Sequence, residues 1–316
     1  MKMKLLITGA TGLIGKNIIA IAKERKIPIH YLTTRKQKLT YSDVIKGFYW
    51  NPKRGEIDSR CIEGVDTLIH LAGASISKPW TSKNKNEILE SRVNSSQLLI
   101  EVLAKQKIKM KSIVCAGAIG IYPNSLDEVY QEDSPLVQDN FLQKVTAAWE
   151  NKLECMSNHT NHLSILRIGL VLANGGGLLS QLTLPVKLFS GTAFASGKQW
   201  QSWIHVKDLS RLFLTAADHG WEGTYNAVAP NPISQRSMIK AIGKALDRPV
   251  FLPNIPSFLI KMVMGKRSIL ILGSQKVSAQ LILSKGFKFK FPFLPEALKD
   301  LFGKKNDILA KNTGWQ

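Results

Sequence analysis

Gly9, Gly12 and Gly15 stand at three-residue spacing directly after the apolar run Leu5-Leu6-Ile7, and Ile14, Ile18, Ile19 and Ala22 then recur with helical period. That is the strand, turn and helix of a dinucleotide-binding unit, and the chemistry it can do is capture of a pyrophosphate. The first glycine permits a tight turn off the strand. The second lets backbone approach the phosphates with no Cβ in the way, and the third lets the helix pack closely on the sheet. The helix start, through Thr11, Leu13 and Ile14, offers N–H groups that have no partner inside the helix. A glycine-rich turn with no ligand could carry the same glycines. The strand before it, and a second strand at a suitable distance after it, favour the cofactor.

That second strand, residues 28–34, ends in Thr33-Thr34-Arg35-Lys36. NAD-binding units commonly place an Asp or Glu here, on the ribose 2′-hydroxyl. This chain has no acid at the position and has Arg35 and Lys36 instead. A basic group there pairs with a 2′-phosphate, so the expected cofactor is NADP rather than NAD. The competing reading is two more residues of a lysine-rich surface. Further on, residues 66–74 read as a buried strand ending in Ala72, Gly73 and Ala74, small residues that let backbone come close to a ribose or nicotinamide.

The elements that must position these groups alternate. A third strand is expected at 48–50, a short helix at 57–63, a long helix at 82–105, a strand at 112–116, a helix at 141–156 and a strand at 163–168. This pattern defines an α/β fold with a doubly wound, largely parallel Rossmann sheet. After Val171 the texture changes to a glycine loop at 174–177, an apolar helix at 178–189 and a tryptophan-rich segment at 197–208. The second half of that segment begins a helix to about residue 218, and a late strand follows at 225–230. Short helices broken by prolines come next, at 234–246, 256–264 and 275–283. The expected division is a Rossmann domain over 1–230, a smaller, mostly helical C-terminal subdomain over 231–303, and a polar tail, 304–316, that frays.

The formal net charge is +20 over 316 residues. The lysines are scattered, and no helix-turn-helix, zinc finger or aromatic-plus-basic RNA motif accompanies them. A solvated surface is expected, with no nucleic-acid partner. No apolar stretch reaches the length of a membrane span, and the run after Lys4 is too short for a signal peptide, so no membrane partner is expected. Cys61, Cys115 and Cys155 are far apart and lack CxxC spacing. Neither a disulfide framework nor a metal site follows, which suits a reducing cytoplasm.

Several segments occur together in a fixed order. They are the glycine turn, Leu71-Ala72-Gly73, Trp80, Ser91-Arg92-Val93, Trp149-Glu150, Arg167 to Leu172, Ser202-Trp203-Ile204-His205 and Asn226 to Pro230. Met264-Gly265, Gly286-Phe287 and Phe289 complete the set. In this order the chain closely resembles the YfcH-like epimerase family, atypical extended short-chain dehydrogenase/reductases with their own C-terminal domain. The resemblance implies an NADP-binding Rossmann fold, and a family in which "epimerase" is a name more than a demonstrated reaction. By matching position it also implies that Thr34 and Arg35 meet the adenosine end, and that Leu71 and Ala72 line the ribose. Glu87, Arg92 and Val171 match further cofactor-contacting positions.

Extended short-chain dehydrogenases usually use a Ser or Thr, a Tyr and a Lys for proton transfer. The matching places here are Gly117, Leu142 and Thr146, none of which can do it, and YfcH-like relatives also lack the Tyr-Lys pair. Any proton must come from elsewhere, with Tyr122, His205 and Glu150 the candidates in that order. Each has a structural alternative: a Tyr hydroxyl bonded in the core, a capping His, a helix-surface Glu. His70, inside an apolar strand, reads as a satisfied core histidine. Two functions follow. One is an oxidoreductase or epimerase acting with NADP on a small polar, sugar-like metabolite. The other is a non-catalytic NADP-binding or redox-sensing protein.

Overall fold

The computed structural model describes residues 3–303; the tail 304–316 lies outside the described residues. In chain order the elements are β1 (Leu5–Thr8), α1 (Leu13–Glu24), β2 (Ile29–Thr33), β3 (Ile45–Asn51), β4 (Glu56–Ile57), β5 (Thr67–His70), α2 (Ser82–Lys105), β6 (Met110–Ala118), β7 (Val129–Tyr130) and α3 (Phe141–Glu154). Then come β8 (Thr160–Ile168), β9 (Leu170–Leu172), α4 (Gly177–Lys187), β10 (Trp200–Gln201), β11 (Trp203–His205), α5 (Val206–Asp218), β12 (Gly223–Ala227), β13 (Ile233–Ser234) and α6 (Gln235–Ala245). The last are α7 (Ser257–Met264), α8 (Ile269–Leu272), β14 (Lys276–Val277), α9 (Gln280–Ser284) and α10 (Leu294–Phe302).

The chain forms two units, and they interleave. The first runs through Pro123 and adds Glu132–Ile168 and Leu209–Ala227. Its eight-stranded sheet has the order β12-β8-β6-β5-β1-β2-β3-β4 and is parallel except where β4 closes the edge against β3. All four residues of β1 and of β5 are buried, as the interior strands of a parallel sheet must be. β2 lies on one side of β1 and β6 on the other side of β5, so the strand order reverses between β1 and β5. Ligands of doubly wound folds bind outside the carboxyl ends of the strands at that reversal. The helices that return the chain are well started. Thr81 Oγ1 caps α2, and Asn140 with Gln143 forms a capping box at α3.

The second unit gathers Asn124–Gln131, Gly169–Asp208 and the chain from Val228 onward. Its core includes Leu172, Leu179, Trp203, Ile239, Ile242 and Leu298. The tryptophan-rich segment is its hub. β11 pairs with β9, β10 pairs with β13, and Ser202 Oγ donates to the Gln275 carbonyl while accepting the Val277 N–H. The Asp208 carboxylate accepts the N–H groups of Lys290 and Phe291 at 2.9 and 2.8 Å.

Three expectations change. A single cut at residue 230 does not describe the division, because residues 124–131 and 169–208 pair with the C-terminal region while 209–227 carry the last strand of the sheet. The stretch 57–63 is shorter and tighter than the expected helix, a four-residue 3₁₀ helix. Ile57 sits in β4, and a 3₁₀ turn over Ser59–Ile62 follows, begun by the Asp58 carboxylate on Arg60 N–H. The stretch 275–283 opens as β14, where Lys276 and buried Val277 pair with β7, and only Gln280–Ser284 is helical.

Candidate functional site

The glycine turn is closed to side chains by backbone. Gly9 has φ +64°, and a Cβ there would lie 2.8 Å from the Leu71 carbonyl oxygen. A Cβ on Gly15 would lie 2.5 Å from the Gly9 carbonyl oxygen. Gly12 is exposed and has φ −79°, but a Cβ there would still lie 3.1 Å from the Gly9 carbonyl oxygen. Its lack of a side chain keeps the exposed side of the turn clear. Gly12 begins α1 without any side-chain cap, and no acid stands in the first turn. The first N–H groups of α1 thus face outward with the positive end of the helix dipole behind them. Thr11 is exposed, and Leu13 and Ile14 are half-buried on the same turn.

The end of β5 is held to the end of β1 by one hydroxyl. Thr8 Oγ1 accepts the N–H groups of Leu71 at 3.0 Å and Ala72 at 3.1 Å, so its own proton goes to His70 Nδ1, 2.8 Å away. The opposite ring nitrogen, Nε2, then carries the proton toward Ser96 Oγ at 3.1 Å, and Ser96 donates to the Arg92 carbonyl. His70 is fully buried, which pushes its pKa down to about 3, so the ring is neutral. The core-histidine reading fits this bonding. Past Ala72, the Arg92 guanidinium fills the space a Gly73 side chain would need, 3.1 Å from that Cβ position, and donates to the carbonyls of Ala74 and Ile88. Burial lowers the Arg92 pKa to about 10. Glu87 pairs with Lys78 at 3.2 Å, fastening the same loop to α2.

Thr34, Arg35 and Lys36 are exposed at the end of β2, the strand next to β1. Thr33 Oγ1 accepts the Arg35 N–H, and the Lys36 ammonium rests 5.2 Å from the centre of the Tyr49 ring. The Arg35 guanidinium makes no ion pair among the described residues. Glycine turn, β5 end and basic β2 end thus occupy adjacent strands and fit an extended anion such as a dinucleotide. Val171 lies apart from them in sequence, in the second unit, on β9 opposite Ile204.

Two of the three proton-transfer candidates meet at Arg167. Gly117, Arg167 and Asn226 are register neighbours on β6, β8 and β12. Arg167 Nε and Nη2 donate to the Glu150 carboxylate at 3.1 and 2.9 Å, and Nη1 donates to Tyr122 Oη at 2.9 Å and the Glu132 carbonyl at 3.0 Å. Tyr122 donates its proton to Asn226 Oδ1 at 2.7 Å. Burial raises the Tyr122 pKa against the opposing pull of Arg167. Burial also opposes the charge on Arg167, but the Glu150 carboxylate outweighs it. A Cβ on Gly117 would sit 3.1 Å from Glu150 Oε1. The carboxylate therefore stands where the superfamily's Ser or Thr would begin, which gives the glycine a physical reason.

His205, the third candidate, is fully buried at the end of β11, directly before α5. Its Nδ1 accepts the Lys207 N–H at 3.1 Å, which leaves the proton on Nε2, 3.2 Å from Asp300 Oδ2. Burial lowers its pKa to about 4 against the pull of Asp300. Lys207 Nζ holds both Asp300 oxygens at 2.8 Å. His205 thus joins the start of α5 to α10, within the second unit.

Sequence reasoning passed over Arg167, Glu132, Asn226 and Thr8. The signal for Arg167 was present: a lone cation inside the apolar run Leu163 to Leu172 must find a buried partner. Among the described residues no group of His, Cys, Asp and Glu could hold a metal ion, and no helix is long and apolar enough to cross a membrane.

Residues 5–227 match the NAD dependent epimerase/dehydratase family, and residues 255–301 match DUF1731, a domain of unknown function. The chain is 31% identical over 310 residues to the epimerase family protein YfhF of Bacillus subtilis (strain 168), covering 97% of this chain and 100% of YfhF. It resembles the crystal structure of human epimerase family protein SDR39U1 (isoform2) with NADPH at a TM-score of 0.83 and 27% identity, over 96% of this chain and 100% of that one. A nucleoside-diphosphate sugar epimerase from Corynebacterium glutamicum gives a TM-score of 0.75 at 25% identity, over 98% of this chain and 61% of the other. The chain belongs to the NAD dependent epimerase/dehydratase family, with a DUF1731 match over its residues 255–301.

Two outcomes follow from the buried networks. Glu150→Ala leaves the Arg167 guanidinium buried without its carboxylate, and urea unfolding should show a loss of about 3–5 kcal/mol. His70 binds no proton in the native state until about pH 3, whereas an unfolded histidine titrates at 6.5. Its contribution to stability is therefore complete above pH 6.5 and is lost as pH falls toward 3. Unfolding free energies from urea titrations between pH 7 and 4 should fall less steeply in His70→Asn, by up to about 1.4 kcal/mol per pH unit.

Proposed function

We propose that this protein binds NADP at the glycine turn and acts as an oxidoreductase or epimerase on a small polar, sugar-like metabolite. The observation that carries the cofactor reading is the end of β2, which presents Arg35 and Lys36 and no acid beside an uncapped helix start. The first turn of α1 binds the pyrophosphate, and Gly12 keeps that space free. Thr34 and Arg35 meet the adenosine end, with Arg35 on the 2′-phosphate. Thr8, through its two backbone contacts, fixes Leu71 and Ala72 as the ribose wall. Arg92 and Glu87 hold the loop that follows, and Val171 matches a further cofactor-contacting position of the family. When bound, the nicotinamide supplies hydride transfer. The human relative crystallised with NADPH supports the cofactor, and the C. glutamicum nucleoside-diphosphate sugar epimerase supports the substrate class.

A second reading, a non-catalytic NADP-binding or redox-sensing protein, is favoured by one specific observation. Tyr122 and Glu150 already spend their polar atoms on protein partners, and His205 spends its Nδ1 on the Lys207 N–H. The setting proposed is the reducing cytoplasm, which suits three free cysteines, two of them buried. With the basic residues scattered, no nucleic-acid partner is proposed.

The test is a fluorescence titration of the protein and Arg35→Ala with NADPH and NADH. The wild type should prefer NADPH. The substitution should weaken NADPH about ten- to a hundredfold, the scale of a charged hydrogen bond, and leave NADH almost unchanged. Equal NADPH affinity in both proteins would overturn the assignment of Arg35.

A further inference from the structure

Helix α7 is a poorly buried helix with an apolar outer face. Only Ile260 is buried, whereas Phe258, Met262 and Val263 are 64%, 73% and 81% exposed, with Leu259 beside them. At 3.6 residues per turn these four fall within one arc of about 140°. The stretch leading into the helix adds Phe251, 69% exposed, and Leu252. Single exposed apolar residues need no explanation, but a contiguous set marks a surface that meets something.

Charge identifies the partner. Between Asp247 and Glu296 the chain carries eight Lys and Arg residues and no acid. Lys261 borders the apolar arc, Lys266 follows just beyond the helix, and both are exposed. Protruding apolar side chains flanked by cations complement an anionic lipid surface, where the apolar groups enter the interface and the cations meet headgroup phosphates. A second copy of this chain would bring the same cations to the same interface. A nucleic acid could stack on Phe258 but would leave the aliphatic Met262 and Val263, the most exposed of the set, with nothing to pair against.

We propose that α7 and its flanks are a peripheral docking surface for an anionic lipid bilayer. This is surface attachment and needs no span; the expectation of no membrane partner rested on the absence of one. The +20 net charge draws the whole chain toward such a surface.

The experiment is co-sedimentation of the full chain with vesicles of phosphatidylcholine alone, or with about one-third phosphatidylglycerol. The comparison protein is the double variant Met262→Glu, Val263→Glu, whose altered side chains lie outside the core. Wild type should bind the anionic vesicles and not the neutral ones. The double variant should bind them about tenfold more weakly, at an unchanged melting temperature. Three results would each overturn the proposal. They are equal binding by the double variant, no binding to anionic vesicles, and self-association or RNA binding that the double variant abolishes in place of vesicle binding.

Discussion

One hydroxyl ties the site together. Thr8 Oγ1 takes two backbone N–H groups from the end of β5 and gives its proton to His70, so the ends of β1 and β5 are fixed where the strand order reverses. The fixing is tight enough that Gly9 cannot carry a Cβ against the Leu71 carbonyl. A turn held this way puts the uncapped start of α1 beside the small residues Ala72 and Gly73, and a loop fixed by its own hydrogen bonds lowers the ordering cost of binding. The neutral His70 is what makes the arrangement one-directional. Each hydroxyl and ring nitrogen from Leu71 to Arg92 has one assigned role as donor or acceptor.

The buried Arg167 explains the other main feature of the first unit. A guanidinium inside a sheet needs a carboxylate and several acceptors, and Glu150, Tyr122 and the Glu132 carbonyl provide them. The carboxylate takes the space beside β6, and Gly117 is the residue that leaves it free. Gly117 and this ion pair go together, because a Cβ at 117 would lie 3.1 Å from Glu150 Oε1. His205 does comparable work in the second unit, between the first turn of α5 and Asp300 on α10.

Much of this was legible in the sequence, for physical reasons that differ by element. The glycine turn and the long helix 82–105 read directly, because steric demand and helical period act within a few residues. The basic end of β2 was legible because one position in that turn decides which ribose is met. The division of the chain was not, since it depends on pairings between segments far apart, such as β7 with β14 and β9 with β11. Tyr122 and Glu150 were found as side chains with suitable chemistry. Their partners were not, because the register that aligns Gly117, Arg167 and Asn226 is a property of the sheet. The helix expected at 275–283 failed for the same reason: local propensity favoured helix, and β7 offered a strand to pair with.

The central claim is that the space above Gly12 holds the pyrophosphate of the cofactor. The most direct measurement is the melting temperature of the protein and of Gly12→Val, with and without saturating NADPH, since a ligand that binds only the folded state raises it. The account predicts a clear rise for the wild type and none for the variant, each measured against its own unliganded protein. An equal rise in both would place the nucleotide somewhere other than the glycine turn and contradict the account.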